Sequence, residues 1–281
     1  MFECINKKII INNRVEPCNK FNANYLLQGK SLYEVIRIMD GIPLFIEDHF
    51  ERLANSAIIS EQKIPVKVAD LQKNKHQLIE QNHINSGNCI YVLNYPDKIS
   101  YHTLCYSIKH SYPTDEEYRN GIKTVLFHAE RQNPNAKALL YELRLRIDME
   151  KERKKLKEVL LVDENNCITE GSRSNVFFIK GDLVVSPPAK KILPGITRKY
   201  VLQICKEQSI KYREEDINIE DLHKFESAFI SGTSPKILPL CQINSNKFSV
   251  KHPLLQKIKK EYDLKIKGYL EITNPQSDRT Q

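Results

Sequence analysis

Residues Leu32 to Met39 alternate between the two sides of an extended chain and run straight into Asp40-Gly41, a pair suited to a tight hairpin turn. Pro43 to Ile46 reads as the return strand. Glu47-Asp48-His49-Phe50-Glu51-Arg52-Leu53 then opens a helix whose first-turn acids complement the helix dipole. A strand, a hairpin and a helix in immediate succession commit this part of the chain to an α+β arrangement. Ile9 to Ile11 before Asn12-Asn13 adds a strand and turn. Val68 to about Asn82 adds a second helix after the Ile64-Pro65 break, and Cys89 to Asn94 and Tyr101 to Lys109 are two more strands. Residues 1–112 therefore read as a small α+β domain. Residues 113–135 contain Pro113, Gly121, Pro134 and one strand, Lys123 to His128, and read as an interdomain connection.

Residues 136–273 read as a larger domain. A helix pattern places Leu139, Leu140, Leu143 and Ile147 on one side after an Asn133-Pro134-Asn135 turn, with Asn135 as a good cap. Glu158 to Val162 and Cys167 to Glu170 are strands joined through Asp163-Glu164-Asn165-Asn166. Asn175 to Ile179 and Leu183 to Val185 form a hairpin through Gly181-Asp182. Leu193-Pro194-Gly195-Ile196-Thr197-Arg198 leads into an amphipathic helix. A short helix at Ile219 to Phe225, a strand at Ala228 to Ile230 and a last helix from about Pro253 to Leu270 follow. The polar residues 274–281 read as a frayed tail.

Composition narrows the function. No apolar run approaches membrane length, so a soluble protein is expected, and Met1-Phe2-Glu3-Cys4 opens no basic-then-apolar leader pattern, which points to the cytoplasm. Seven cysteines without a Cys-x-x-Cys pair suggest reduced thiols, and the eight histidines form no metal-ligand spacing with them. The net charge of +8 concentrates in Lys151 to Lys157, where cations suit a helix C-terminus. No basic stripe is interleaved with aromatics, so neither nucleic acid nor a membrane is expected as a partner. Gly29-Lys30-Ser31 resembles the end of a phosphate-binding loop, but Asn24 stands where such a loop needs its first glycine.

Three features point to chemistry. Lys137 stands at the expected mouth of a helix, with apolar neighbours and no adjacent acid, where desolvation turns an ammonium into a nucleophilic amine. Gly195-Ile196-Thr197 at a helix start and Ser231-Gly232-Thr233-Ser234 after a strand both offer backbone N–H groups and hydroxyls to an anion. Glu170 ends a strand before Gly171, placed to pair with a protonated ring nitrogen or to lie in solvent as a turn residue.

Together these stretches resemble the fold-type IV (class IV) pyridoxal-phosphate aminotransferases, the group of branched-chain and D-amino-acid aminotransferases and aminodeoxychorismate lyases. The resemblance runs through Gly29 to Arg37, His49 to Ala57, Asn135-Ala136-Lys137, Thr169-Glu170-Gly171 with Ser174-Asn175, Leu193 to Arg198, and Ser231 to Ser234. It implies a small α/β domain, a larger domain with a barrel-like β core, pyridoxal 5′-phosphate held between them, and a homodimer. Lys137 would form the Schiff base and shuttle the proton. Glu170 would pair with the pyridine nitrogen. Arg52, Gly195, Ile196, Thr197 and Thr233 would hold the phosphate, and Ser174 and Asn175 would line the cofactor. Tyr141 would approach its phenolic oxygen, with an ordinary core tyrosine as the alternative.

For substrate, Tyr33, Val35 and Arg37 share one strand face, and Ser234 could bind a carboxylate through its N–H. The arginine clamps of both named aminotransferase groups are missing. Ile90-Tyr91-Val92-Leu93-Asn94 and Tyr95-Pro96-Asp97 stand at their places, leaving Arg37, Arg173 or backbone N–H groups for the carboxylate. The expected function is amino transfer from an amino acid to a 2-oxo acid. The alternatives are elimination of pyruvate from aminodeoxychorismate, and a non-catalytic binding protein on the same scaffold.

Overall fold

The computed structural model describes residues 3–131 and 133–273, the side chain of Tyr25 excepted; the expected tail at 274–281 lies outside them. The chain folds as two compact units, Met1–Ser111 with Ala136–Leu139 and Ile266–Gln281, and Tyr112–Asn135 with Leu140–Lys265. Both mix helices with sheets, so the chain is α+β.

The first unit holds β1 (Lys8–Ile11), β2 (Arg14–Pro17), α1 (Asn24–Leu27), β3 (Lys30–Met39), β4 (Ile42–Pro43), α2 (Ile46–Ile59), α3 (Val68–Asn82), β5 (Gly87–Tyr95) and β6 (His102–Ile108). Its sheet is antiparallel, in the order β2-β1-β6-β5-β3-β4. The two expected turns are left-handed: Asn12 and Asn13 at φ 47° and 63°, Asp40 and Gly41 at φ 52° and 73°. Alternation along β3 sorts Leu32, Ile36 and Ile38 onto a core shared with Leu53 of α2 and Leu71 and Leu78 of α3. Tyr33 and Val35 join Ile90, Val92, Leu104 and Tyr106 on the opposite face. Every residue of β5 is buried, which is why its sequence is a nearly unbroken apolar run. The expected return strand Pro43 to Ile46 is cut to Ile42–Pro43, because Phe45 turns left-handed at φ 53° and α2 begins at once. Cys4 and Cys18 form a disulfide, correcting the expectation of reduced thiols for that pair; Cys89, Cys105, Cys167, Cys205 and Cys241 are free.

The second unit holds α4 (Asp115–Asn120), β7 (Ile122–Thr124), β8 (Leu126–His128), α5 (Tyr141–Lys154), β9 (Leu160–Val162), β10 (Cys167–Gly171), β11 (Asn175–Lys180), β12 (Leu183–Ser186), α6 (Ile196–Glu207), β13 (Lys211–Glu214), β14 (Ile217–Asn218), β15 (Ser227–Gly232), β16 (Lys236–Ile243) and β17 (Asn246–Lys247); α7 (Pro253–Thr273) is divided between the units. A four-stranded sheet, β14-β10-β9-β8, and a seven-stranded sheet, β13-β12-β11-β15-β16-β17 with β7 beside β16, share one core. Leu160, Val162 and Ile168 from the first meet Val176, Phe178, Ile230 and Leu240 from the second. Among the described residues the sheets do not close into a barrel.

Three local expectations are corrected here. The strand Lys123 to His128 is two strands in different sheets, β7 parallel to β16 and β8 parallel to β9. The stretch read as a connection also carries α4, started by a box in which Glu117 N–H donates to Thr114 Oγ1 and Thr114 N–H to Glu117 Oε2. The helix expected to start at Asn135 starts at Tyr141, and α5 buries only Ile147. Asn135 caps nothing; its Nδ2 donates to the carbonyls of Ala189 and Ile192 at 2.9 and 2.8 Å.

Candidate active site

Lys137 does not sit at a helix mouth. β4 pairs only with Ile38 and Met39 of β3, which leaves the Ser31–Tyr33 edge open. Residues 137–139 occupy that edge as a one-bridge strand, Leu32 opposite Ala138. Tyr33 N–H donates to Lys137 O at 3.1 Å and Leu139 N–H to Ser31 O at 3.0 Å. Lys137 N–H donates to Ser56 Oγ at 3.1 Å, and that hydroxyl donates to Arg52 O at 2.8 Å. Hydrogen bonds at its own N–H and C=O and at Leu139 thus pin the backbone of the lysine, while its half-buried side chain puts Nζ 5.2 Å from the centroid of the Tyr33 ring.

Beside it, α2 presents His49 and Arg52 to Glu34 of β3, all three buried. Arg52 grips both oxygens, Nε to Oε1 at 2.8 Å and Nη2 to Oε2 at 2.5 Å; His49 Nδ1 is 2.7 Å from Oε2. Burial works to raise the Glu34 pKa, but the Arg52 charge and the bonds from Arg52 and His49 outweigh it and hold the carboxyl down at about 2. Burial pushes His49 down, with the Glu34 contact opposing and the charges of Arg52 and Lys137 adding to the fall. The arrangement keeps Arg52 rigid and a neutral imidazole beside it. Arg37 lies half-buried further along β3 on the Tyr33 face.

A second group belongs to the other unit. Asn175 opens β11 opposite Ser231 near the end of β15, so two motifs far apart in sequence share one sheet end. Asn175 Nδ2 donates to Leu193 O at 2.8 Å, and a Cβ on Gly195 would lie 2.0 Å from Asn175 Oδ1, so only glycine lets this turn reach the strand. Gly195 is the N-cap of α6 and supplies no side-chain cap, so the first N–H groups of that helix, at buried Ile196 and Thr197, lack one. Thr197 Oγ1 is 3.2 Å from Tyr262 Oη. Ser231 Oγ is buried and has no hydrogen-bond partner among the described residues, one residue before Gly232-Thr233-Ser234 at the tip of the β15–β16 hairpin.

Glu170, at the end of β10, is 4% exposed and held from two sides: Arg131 Nη1 donates to Oε1 at 2.7 Å and Leu193 N–H to Oε2 at 3.0 Å. Below the turn that follows, buried Glu158 accepts from Ser172 N–H at 3.0 Å, Arg173 N–H at 3.3 Å, Ser174 Oγ at 2.8 Å and Ser172 Oγ. Ser174 is therefore committed to Glu158. Tyr141, the first residue of α5, is 41% exposed, and Arg173 is engaged by Asp148 at 2.9 Å.

The structure thus gathers Tyr33, Arg52 and Lys137 in one unit, with Arg37 along the same strand. It gathers Glu170, Ser174, Asn175, Gly195, Ile196, Thr197, Thr233 and Ser234 in the other. Sequence reasoning missed Glu34, His49, Arg131 and Glu158. Glu34 had one signal, an acid on the apolar-inward face of an alternating strand. Arg131 and Glu158 had none, because their partners lie 39 and 14 to 16 residues away.

Residues 31–243 match the family model described as Amino-transferase class IV. The chain is 27% identical over 243 residues to the branched-chain-amino-acid aminotransferase of Escherichia coli strain K12, covering 79% of each chain. It is 26% identical over 227 residues to the D-alanine aminotransferase of Bacillus licheniformis, covering 77% of this chain and 80% of that one. Its fold matches the crystal structure of the Escherichia coli branched-chain enzyme with a TM-score of 0.83 at 22% identity, over 97% of this chain and 98% of that chain.

Proposed function

The chain belongs to the class IV aminotransferases, enzymes that work with pyridoxal 5′-phosphate, and from that premise we propose which residues move an amino group between an amino acid and a 2-oxo acid. The observation that carries the reading is Lys137, held on the open edge of β3 by two backbone hydrogen bonds and to α2 by a third, from its N–H to Ser56 Oγ.

The donor set suits the cofactor. A dianionic phosphate needs N–H and O–H donors and a fixed cation. In the second unit the uncapped start of α6, the Ser231 hydroxyl, Thr197 and Thr233 are such donors, and the resemblance assigns the cation to the rigid Arg52 of the first. A pyridine nitrogen needs an acid beside it, and we assign that place to Glu170, which Arg131 holds in position. When bound, the protonated ring withdraws electrons from the reacting carbon. Lys137 Nζ then takes and returns the proton at that carbon, and its pinned backbone limits the positions the amine samples. Asn175 and Gly195 hold the α6 turn in place, Glu158 holds Ser174, and Tyr141 at the start of α5 is the residue we assign to the cofactor's phenolic oxygen.

Arg173 is occupied by Asp148, so we assign the substrate carboxylate to Arg37 and the Ser234 N–H, with Tyr33 shaping the side-chain pocket. We take the first unit as the small domain the resemblance implies, and the second, with its two sheets, as the larger one. A cytoplasmic homodimer is the assembly and compartment the resemblance supports; sedimentation checks the first.

The test uses purified protein loaded with pyridoxal phosphate. An amino acid should bleach the cofactor absorption band and 2-oxoglutarate restore it, and Lys137→Ala should lose both turnover and the borohydride-trapped adduct. Pyruvate release from aminodeoxychorismate without an acceptor, or wild-type turnover in Lys137→Ala, would overturn the reading.

A further inference from the structure

α3 puts a lysine where its amphipathic face calls for an apolar side chain. Lys75 is fully buried, between Leu71 and Leu78 on the same face. Its Nζ lies 3.0 Å from Cys89 Sγ and also within hydrogen-bond reach of Cys105. Cys89 pairs with Ser107 and Tyr91 with Cys105 across β5 and β6, so the two thiols are diagonal neighbours on the sheet face under the helix. The face of Tyr91 lies 6.0 Å from the amine. Among the described residues no carboxylate forms an ion pair with Lys75. Two sulfurs are the polar company of an amine sealed in a core, a costly arrangement for packing alone. Burial pushes the Cys105 thiol up to about 12, which leaves it a poor nucleophile.

We propose that Lys75 and Cys89 form a redox modification site: hydrogen peroxide closes a covalent bridge, Lys75 Nζ–O–Sγ Cys89, that staples α3 to β5, an inner strand of the sheet. The S–H bond and one N–H bond break, and S–O and O–N bonds form. One thiol, one amine and two peroxides give the bridge and three waters. Sulfur and nitrogen each lose two electrons, and each peroxide accepts two. Two dithiols reverse it, returning thiol, amine and one water. One bridging oxygen suits atoms already 3.0 Å apart. A direct S–N bond would pull strand and helix together in a close-packed core. Peroxide is small and uncharged, and transient opening of the helix admits it.

The experiment treats the purified full-length protein with hydrogen peroxide and reads intact mass and a tryptic map. The site predicts a gain of one oxygen with loss of two hydrogens. Trypsin should no longer cut after Lys75, so residues 74–98 emerge as one looped peptide, and dithiothreitol should restore both mass and cleavage. Cys105→Ala should keep the bridge, and Lys75→Met or Cys89→Ala should lose it. Stepwise oxygen addition on Cys89 with Lys75 still cleaved, a Cys89–Cys105 disulfide, or an unchanged 74–98 region would each overturn the proposal. The wild-type map decides this even if a variant fails to fold.

Discussion

Replacing Glu34 with glutamine tests the buried cluster that fixes Arg52. Glutamine keeps the shape but removes the charge that the guanidinium and His49 face at 2.5–2.8 Å. The carboxyl falls from 4.5 to about 2 on folding. At 1.36 kcal/mol per unit, that is about 3 kcal/mol of stability at pH 7. A depressed carboxylate contributes above its unfolded pKa and loses the contribution as pH falls through the folded value. The stabilisation is therefore complete above about pH 5.5, more than half gone by pH 3, and absent below about 2. Urea unfolding of wild type and Glu34→Gln at a series of pH values measures it. With a slope of about 2 kcal/mol/M, the midpoints should differ by about 1.5 M at pH 7 and converge toward pH 3. Other acids titrate in both proteins and cancel in the difference. A gap that is small at pH 7, or that does not narrow between pH 5 and 3, would refute the claim that this ion pair anchors α2 to β3.

Three further outcomes follow from the geometry. Gly195→Ala should raise the dissociation constant for pyridoxal phosphate by about tenfold while circular dichroism stays unchanged, because the new methyl displaces Asn175 and not the helix. Glu158→Gln turns an NH2 toward hydroxyl and N–H donors beneath residues 171–174; thermal unfolding should show a loss of about 2–4 kcal/mol, and turnover should fall with it. Arg131→Met leaves Glu170 as a buried, half-paired carboxylate, so kcat should drop at least tenfold while phosphate affinity changes little, measured by steady-state kinetics and cofactor titration.

Much of the first unit is readable residue by residue, because its information is local. Asn12-Asn13 and Asp40-Gly41 turn where their left-handed backbone permits, and β3 alternates because one strand separates two cores. β16 escapes such a reading because Pro239 interrupts it. The strand tolerates the proline opposite Phe229, one residue before pairing with β7 begins. Asn135 misleads for a related reason. Asn-Pro-Asn has the local chemistry of a cap, but its amide serves the 189–192 loop, and the open edge of β3 takes the next residues as strand.

The linear chain determined which groups are present and in what order: one lysine after an Asn-Ala pair, an acid before glycine, two glycine–hydroxyl turns, and the spacings that identify the family. Folding decided which of those groups are held and by what. Lys137 is fixed by a sheet edge instead of a helix, Arg52 by an acid on a strand, Glu170 by an arginine, and Ser174 by a glutamate under the turn. A period of two or 3.6 reports which face a side chain occupies. The partner on that face is chosen by strand register and packing between segments that no local pattern links.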